Sequence, residues 1–247
     1  MFKTRRIRSI QTKGRQSLSA LRGGKATTTD RSTFMTVSTN SITALLFDWD
    51  GTLVDSAQLG LSAFRKSFAM LGIEFHQQTY EKTYSPNWYS MYEAMDIPKE
   101  KWDRADELWM LHYGEQTATL VEGAKESLFE LQRKGYRLGV VSSGSDSRVG
   151  REMQQLGLAS AFEVVVCSEH MVKKKPHPEG LETAMQRLKV SAVDCCYVGD
   201  SPEDIQMGKS ANVLTVGVRS TYPTSWKVMS ANPDIYLESF VELSTYF

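Results

Sequence analysis

From residue 41 onward, short apolar segments alternate with segments that have the spacing of amphipathic helices. Several of the apolar runs are uninterrupted, such as Ala44-Leu45-Leu46-Phe47 and Val164-Val165-Val166. A strand that is apolar on both sides suits a parallel sheet covered by helices on both faces. Strands are predicted over residues 42–48, 136–142, 162–168, 194–199 and 213–218, and helices over 124–134, 146–156, 178–188 and 202–211. The pattern predicts an α/β fold with a doubly wound, mostly parallel sheet.

One long segment interrupts this alternation, directly after the first strand. Leu61, Phe64, Phe68 and Leu71 have helical spacing, and residues 88–95 and 102–113 are also typical of helices. A segment of this length is too long for a loop in a compact domain. We therefore predict a helical cap over residues 59–119, inserted into a core of residues 41–58 and 120–247. Its aromatic residues are expected to form its own core, with one or two facing a substrate: Trp88, Tyr89, Tyr92, Trp102, Trp109 and Tyr113.

The first 40 residues differ in composition from the rest of the chain. Residues 1–34 carry nine Lys or Arg and one acid, Asp30, whereas the other 213 residues carry 20 basic and 28 acidic side chains. A segment this rich in Arg, Ser and Thr and this poor in acids is expected to be disordered. Two interpretations are open: an organelle transit peptide, or an extraneous extension upstream of a start at Met35.

Composition also limits the classes of partner. The acidic body argues against a nucleic-acid partner. No apolar run approaches the roughly 18 residues of a membrane span, which argues against a membrane partner. The three cysteines cannot form a disulfide framework, so reduced thiols in an intracellular compartment are expected: Cys167, Cys195 and Cys196. The predicted location is the cytoplasm, or the mitochondrial or plastid matrix if the leader is a transit peptide. The sequence indicates no oligomeric state.

Polar and charged residues follow the predicted strands. Asp48 and Asp50 come after the first strand, Ser142 ends the second, Lys175 lies beyond the third, and Asp200 follows the fourth. Ligands of such sheets bind at the carboxyl ends of the strands, so these side chains are expected at one edge. Carboxylates without nearby His or Cys indicate a hard cation, Mg²⁺ above others. A divalent ion, a lysine and a hydroxyl around a carboxylate suit the transfer of a phosphoryl group.

Taken together, these motifs resemble the haloacid dehalogenase superfamily of phosphatases. The resemblance rests on Asp48-Trp49-Asp50-Gly51-Thr52-Leu53-Val54-Asp55-Ser56 and on Gly199-Asp200-Ser201-Pro202-Glu203-Asp204, with Ser142 and with Lys175 before Pro176. The cap after the first strand resembles that of the phosphoglycolate-phosphatase-like and β-phosphoglucomutase-like branch. The resemblance implies a phosphatase that acts on a small phosphorylated metabolite.

Within this resemblance, each matching residue has an implied role. Asp48 is the implied nucleophile, which becomes an aspartyl phosphate, and Asp50 is the implied general acid and then base. Ser142 and Lys175 are implied to hold the phosphoryl oxygens, with Ser143 as the alternative hydroxyl.

The implied Mg²⁺ ligands are the carboxylates of Asp48 and Asp200 and the backbone carbonyl of Asp50. Asp204 is implied to act at the metal site indirectly or through a water molecule, and to fix Lys175 and the ligands of the ion. Asp200 has an alternative role as the cap of the following helix, and Asp55 and Ser56 are expected to be ordinary loop or cap residues.

Two other functions remain open at this stage. A sugar phosphomutase would pass the same aspartyl phosphate to a sugar, and a non-catalytic binding protein could keep the fold. The intact acids and Lys175 argue against the second. Members of the family that resemble haloacid dehalogenase or phosphonatase lack an acid at the position of Asp50, so the resemblance implies phosphoryl transfer from oxygen. The segment Ser85-Pro86-Asn87-Trp88 departs from the pattern of phosphoglycolate phosphatases, which puts that substrate in doubt.

Overall fold

The sheet at the centre of residues 39–247, the part of the chain that the computed structural model describes, has six parallel strands. Their order across the sheet is β3-β2-β1-β4-β5-β6. The strands are β1 Ala44–Phe47, β2 Arg137–Val141, β3 Val164–Val166, β4 Cys195–Gly199, β5 Leu214–Val218 and β6 Ile235–Leu237. This confirms the predicted doubly wound α/β fold. The sixth strand was not predicted, because its three residues show no periodicity and, unlike the Val164-Val165-Val166 run of β3, do not form an uninterrupted aliphatic run.

Helices connect the strands and cover both faces of the sheet. They are α1 Ala57–Met70, α2 Gln77–Thr83, α3 Trp88–Ala94, α4 Trp102–Gly114, α5 Ala124–Arg133, α6 Asp146–Gln155, α7 Glu179–Leu188 and α8 Pro202–Ser210. Helices α5 to α8 lie within the predicted segments. Helix α2 was missed, because most of its residues are polar and only Tyr80 is buried.

Alternate residues of the central strand feed two separate cores. Leu45 and Phe47 pack with residues of α5 and α6, whereas Ala44 and Leu46 pack with residues of α7 and α8. The alternation follows from the pleat, which directs successive side chains to opposite faces. Full burial of a Leu or Phe side chain stabilises the fold by about 1.5–3 kcal/mol. Both faces of β1 are therefore shielded from solvent, as the uninterrupted apolar run predicts.

Helices α1 to α4 form a third hydrophobic core, and we call residues 57–114 the helical insertion. The ring of Phe64 is at its centre, with the ring centroids of Trp88 and Trp109 at 5.5 and 5.7 Å. Tyr92, Trp109 and Tyr113 are buried, which confirms that these aromatic residues belong to the insertion's own core. The domain boundaries given above stay a prediction.

The strand register fixes where the polar residues emerge. Phe47 at the end of β1 lies opposite Val140 of β2 and Val198 of β4. The residues that follow these three strands therefore leave the sheet at the same edge. The insertion reaches over this edge, where Ser85 Oγ donates a hydrogen bond of 3.2 Å to Glu203 Oε1 at the start of α8.

The predicted basic leader lies almost entirely outside the described residues, which begin at residue 39. Within the described part of the chain, no helix has the length and apolar character needed to cross a membrane.

Candidate active site

A buried lysine joins two of the predicted acids at the edge of the sheet. The Lys175 ammonium donates to Asp48 Oδ1 at 2.6 Å and to Asp204 Oδ1 at 2.7 Å. Burial opposes the charge on Lys175, but Asp204 and Asp48 outweigh it and hold the pKa of Lys175 well above its usual value. The lysine is therefore a fixed cation beside Asp48.

Asp200 lies against Asp48 and completes an acidic cluster. Carboxylate oxygens of Asp48, Asp200 and Asp204 lie within 4.8 Å of one another, and all three residues are buried. Thr52 Oγ1 donates to Asp200 Oδ1 at 3.2 Å, and Ser220 Oγ donates to Asp200 Oδ2 at 2.6 Å. Hydroxyl donors thus orient both oxygens of Asp200.

The electrostatics of this cluster suit a divalent cation. Burial raises the pKa of Asp48 to about 7, and burial together with Asp48 and Asp204 raises the pKa of Asp200 well above its usual value. Three carboxylates share one lysine, so the cluster has a surplus of negative charge. The donors are oxygen atoms only, the set that Mg²⁺ prefers. The residues present therefore fit the expected metal.

Asp200 does not have the alternative role of a helix cap. Ser201 caps α8 instead, since Ser201 Oγ accepts a hydrogen bond of 3.2 Å from the backbone N–H of Asp204. Asp204 Oδ2 in turn accepts from the backbone N–H of Ser201 at 3.0 Å. This reciprocal capping box fixes the carboxylate of Asp204 while its other oxygen accepts from Lys175.

Asp50 is held by an arginine that sequence reasoning missed. Arg148 of α6 donates from Nη1 to Asp50 Oδ1 at 3.0 Å and from Nη2 to Asp50 Oδ2 at 2.5 Å. Burial alone raises the pKa of Asp50, but the paired guanidinium outweighs it and holds the pKa below its usual value. In this arrangement Asp50 is a carboxylate.

The side chain of Arg148 is buried between residues of the core and of the insertion. Its side chain is 3% exposed, and Nη1 also lies 3.2 Å from Glu152 Oε2, which accepts a second hydrogen bond of 2.7 Å from Trp49 Nε1. The guanidinium carbon lies 5.0 Å from the ring centroid of Tyr113 in the insertion. The spacing of Arg148 and Glu152, four residues apart on a helix, was the available signal. It does not reveal that Arg148 faces the site.

Ser56 occupies the N-cap position of α1, as expected, but its hydroxyl makes no capping hydrogen bond and contacts the site instead. Ser56 Oγ donates to Asp50 Oδ1 at 2.8 Å and lies 3.0 Å from the hydroxyl oxygen of Tyr222. Asp55 does have a structural role, since it accepts from Thr221 Oγ1 at 2.7 Å. Tyr222 lies far along the chain, after β5, and no motif marked it.

Ser142 is buried at the end of β2, and its Oγ accepts a hydrogen bond of 2.9 Å from the backbone N–H of Gly144. The alternative hydroxyl, Ser143, lines the cavity described below together with Gly144. The role of Ser142 toward a phosphoryl group stays a prediction.

Gly51 is required by the close approach of its neighbours. Its φ is +80°, and a Cβ at this position would lie 2.3 Å from Asp200 Oδ2 and 2.7 Å from the ring of Tyr222. Any other residue would push apart the loop after β1 and the Asp200 carboxylate.

The acids open into one cavity of about 320 Å³ between the core and the insertion. Asp48, Asp50, Asp200, Arg148 and Lys175 line it from the core. The opposite wall comes from the insertion and is largely aromatic, with Tyr84, Trp88, Tyr89 and Trp109 among its residues. This size lies at the small end of the range for small-molecule sites.

Known proteins are similar to this chain in sequence. The family model for haloacid dehalogenase-like hydrolases matches residues 45–218. Pyrophosphatase PpaX from Bacillus velezensis is 28% identical over 206 residues, which cover 82% of this chain and 94% of that protein. Phosphoglycolate phosphatase from Colwellia psychrerythraea is 30% identical over 212 residues, which cover 81% of this chain and 94% of that protein.

A solved structure shows the same fold. A haloacid dehalogenase-like family hydrolase from Streptococcus pneumoniae superposes with a TM-score of 0.74 at 22% identity, covering 84% of this chain and 99% of its own. The relatives that match by sequence are named phosphatases. The chain therefore belongs to the haloacid dehalogenase-like hydrolase family and is an enzyme of the phosphatase type.

Proposed function

We propose that the chain is a Mg²⁺-dependent phosphatase that hydrolyses a small phosphomonoester through an aspartyl phosphate on Asp48. The observation that carries the proposal is the cavity in which Asp48, Asp50, Asp200 and Lys175 meet. One of the acids is held by a buried lysine and another by a buried arginine, so the two carboxylates of the Asp48-Trp49-Asp50 motif have different environments. Different environments for two neighbouring carboxyl groups are typical of a nucleophile and an acid–base pair.

In the first step, a carboxylate oxygen of Asp48 attacks phosphorus and the bond to the leaving oxygen breaks. Lys175 donates to Oδ1 of Asp48, which leaves Oδ2 for the attack. The ammonium also offsets the negative charge that gathers on the phosphoryl oxygens. The product is an aspartyl phosphate on Asp48 and an alcohol.

Asp50 moves the protons. It protonates the leaving oxygen in the first step, and it removes a proton from water when water attacks the aspartyl phosphate and releases phosphate. Paired with Arg148, Asp50 is ionised, which is the form that acts as base in the second step. To act as acid, it must first gain a proton.

Mg²⁺ fits beside these residues. The carboxylates of Asp48 and Asp200 and the backbone carbonyl of Asp50 would hold it, with Asp204 supporting from behind through Lys175. When bound, the ion would neutralise charge on the phosphoryl group and bring it to Asp48.

The relatives named above act on pyrophosphate and on phosphoglycolate by their names, and both compounds belong in a first substrate panel. A phosphomutase requires a bisphosphate to bind, so the cavity would need a second anion site. Among the described residues that line the cavity, those of the insertion include no Lys or Arg. This charge pattern favours hydrolysis over the mutase reaction.

The test is rapid-quench trapping of a phosphoenzyme with p-nitrophenyl phosphate and Mg²⁺. Asp48→Asn keeps the size of the side chain and removes the nucleophilic charge, so no phosphoenzyme should form and activity should fall to background. The control is Asp55→Asn, which alters a carboxyl of the same loop that contacts Thr221 instead of the cavity. Phosphoenzyme in the Asp48→Asn variant would contradict the proposal.

A further inference from the structure

The two walls of the cavity carry different chemistry. Among the described lining residues, the cations all belong to the core: Arg148, Lys174 and Lys175. The insertion contributes mainly aromatic and apolar side chains, together with the amide of Asn87 and one carboxyl, that of Asp106. The aromatic and apolar group includes Phe64, Tyr84, Trp88, Tyr89, Trp109 and Met110.

Two of the three core cations already have anionic partners. Lys175 contacts Asp48 and Asp204, and Arg148 contacts Asp50 and Glu152. The Lys174 ammonium donates to the backbone carbonyl of Ser168 at 2.6 Å, on the exposed rim of the core. A substrate with a second anion on its leaving group would therefore place that anion against aromatic rings and near Asp106, with no insertion cation to pair it. Burying an unpaired anion is strongly unfavourable.

The aromatic surface begins beside the proposed proton donor. The hydroxyl of Tyr222 contacts Ser56, which donates to Asp50, and the ring of Tyr222 lies 4.8 Å from that of Tyr84 between centroids. The leaving group starts at the oxygen that Asp50 protonates, so its next atoms would lie along these rings.

The insertion offers two more aromatic side chains along the same wall. Trp88 is half-buried and its ring centroid lies 4.3 Å from that of Trp109, whereas Tyr89 is 49% exposed. Aromatic faces bind planar rings by offset stacking and edge contacts. A flat, uncharged group fits this wall better than a carboxylate or a phosphate does.

We infer that the substrate is a phosphomonoester whose leaving alcohol carries a planar, uncharged ring, as in a nucleoside 5′-monophosphate. The inference rests on the phosphatase function proposed above. It names the class of leaving group and places its recognition on the aromatic wall of the insertion. Pyrophosphate and 2-phosphoglycolate, which carry a second anion, are then poor substrates.

The test compares AMP with ribose 5-phosphate. Both release the same 5′-oxygen of ribose, so the base is the difference that the insertion can sense. We expect kcat/KM for AMP to exceed that for ribose 5-phosphate by about tenfold or more, the scale of one base stacking on an aromatic side chain. The kcat/KM values for AMP and for ribose 5-phosphate should both exceed those for 2-phosphoglycolate and pyrophosphate.

Substitutions in the aromatic wall of the insertion test whether the preference for AMP arises there. Tyr89→Leu removes a half-exposed ring and should fold normally, and Trp88→Leu removes the larger, half-buried ring. Each should lower the ratio of kcat/KM for AMP to that for ribose 5-phosphate, through a higher KM for AMP. Phe129→Leu is the matched control: Phe129 lies on the solvent side of α5, is 44% exposed and does not line the cavity, so the ratio should stay unchanged. Melting temperatures check that each variant is folded.

The outcomes separate this inference from the proposed function. Absence of any hydrolysis of p-nitrophenyl phosphate with Mg²⁺ would overturn the phosphatase proposal and the inference with it. Hydrolysis of p-nitrophenyl phosphate with equal kcat/KM for AMP and ribose 5-phosphate would overturn the inference alone. So would a preference for 2-phosphoglycolate or pyrophosphate, or a ratio that both wall variants leave unchanged.

Discussion

The two sides of the cavity are built in opposite ways. On the core side, charged groups stand at the ends of strands and are paired by hydrogen bonds, as Lys175 is with Asp48 and Asp204. On the insertion side, aromatic rings continue the hydrophobic core around Phe64 and reach the cavity at Trp88 and Trp109. The first arrangement is suited to one reaction, and the second to one kind of leaving group. The ends of parallel strands hold charged groups at fixed positions, whereas the packed rings of the insertion form an aromatic surface on which a planar group can stack.

If this division holds, removal of metal should stop the chemistry and leave the insertion intact. We expect EDTA to reduce phosphatase activity to background and Mg²⁺ to restore it, because Asp48 and Asp200 repel without a cation between them. Three of the five tryptophans lie in the insertion, so tryptophan emission should change little. Full activity after exhaustive chelation would contradict the role of Asp200.

Within the core side, Asp50→Asn separates proton transfer from nucleophilic attack. The variant keeps Asp48 and the backbone carbonyl, so the loss should be about 10²–10⁴-fold for an alkyl phosphate. It should be smaller for p-nitrophenyl phosphate in the phosphoenzyme-forming step, because that leaving group hardly needs a proton. Single-turnover rates measure this step. Equal slowing of both substrates would assign Asp50 another role.

The same division explains what the sequence could predict. Asp48, Asp50 and Asp200 follow strands within a few residues, so the parallel topology alone brings them to one edge. Arg148 lies on a helix, and only the packing of α6 decides whether its guanidinium points to solvent or to Asp50. Tyr222 follows β5 by four residues and meets Ser56 through a loop that no periodicity describes.

The insertion was harder to interpret for a different reason. The spacing of its aromatic residues predicts buried helix faces, and Tyr92 and Tyr113 are buried as expected. Trp88, Tyr89 and Trp109 are also large aromatic residues, yet they line the cavity. Core rings and substrate-facing rings have the same pattern in a sequence, so only the packed structure separates them.

Arg148 is an exception to the division between a charged core side and an aromatic insertion side, because it contacts Asp50 in the core and Tyr113 in the insertion. Arg148→Met leaves Glu152 and Asp50 without their cation, and breaking a buried pair costs about 3–5 kcal/mol of unfolding free energy. The pKa of Asp50 should rise in this variant. The acidic limb of the pH profile, where activity is lost because Asp50 becomes protonated, should therefore move to higher pH. Denaturant unfolding and the pH profile of kcat measure the two effects.

The control for Arg148 is Arg151→Met on the same helix, since Arg151 is exposed. It should change neither the unfolding free energy nor the pH profile by a measurable amount. Arg148→Lys keeps the charge without the two-pronged contact and should fall between the wild type and Arg148→Met. An Arg148→Met variant with an unchanged pH profile would show that the arginine only supports the fold.

The smallest expected effect is a pH dependence of stability that comes from the core acids. In EDTA, burial raises the pKa of Asp48 from 3.8 to about 7, and burial with neighbouring carboxylates raises that of Asp200. A carboxyl with a higher pKa in the folded chain binds more protons when folded, so the unfolding free energy falls as pH rises between the two values. The lowered pKa of Asp50 acts in the opposite direction, but only below its usual value of 3.8.

The melting temperature in EDTA should therefore fall between pH 5 and pH 7.5. In a chain of this size, a loss of 1 kcal/mol of unfolding free energy lowers the melting temperature by about 2–4 °C. We therefore expect the melting temperature to fall by several degrees. Asp200→Asn removes one of the two acids and should give a shallower slope. Saturating Mg²⁺ should flatten the slope as well, because the ion favours the ionised carboxylates. A melting temperature that rises over this interval, or a slope that neither Asp200→Asn nor Mg²⁺ changes, would place the pH dependence outside the acidic cluster.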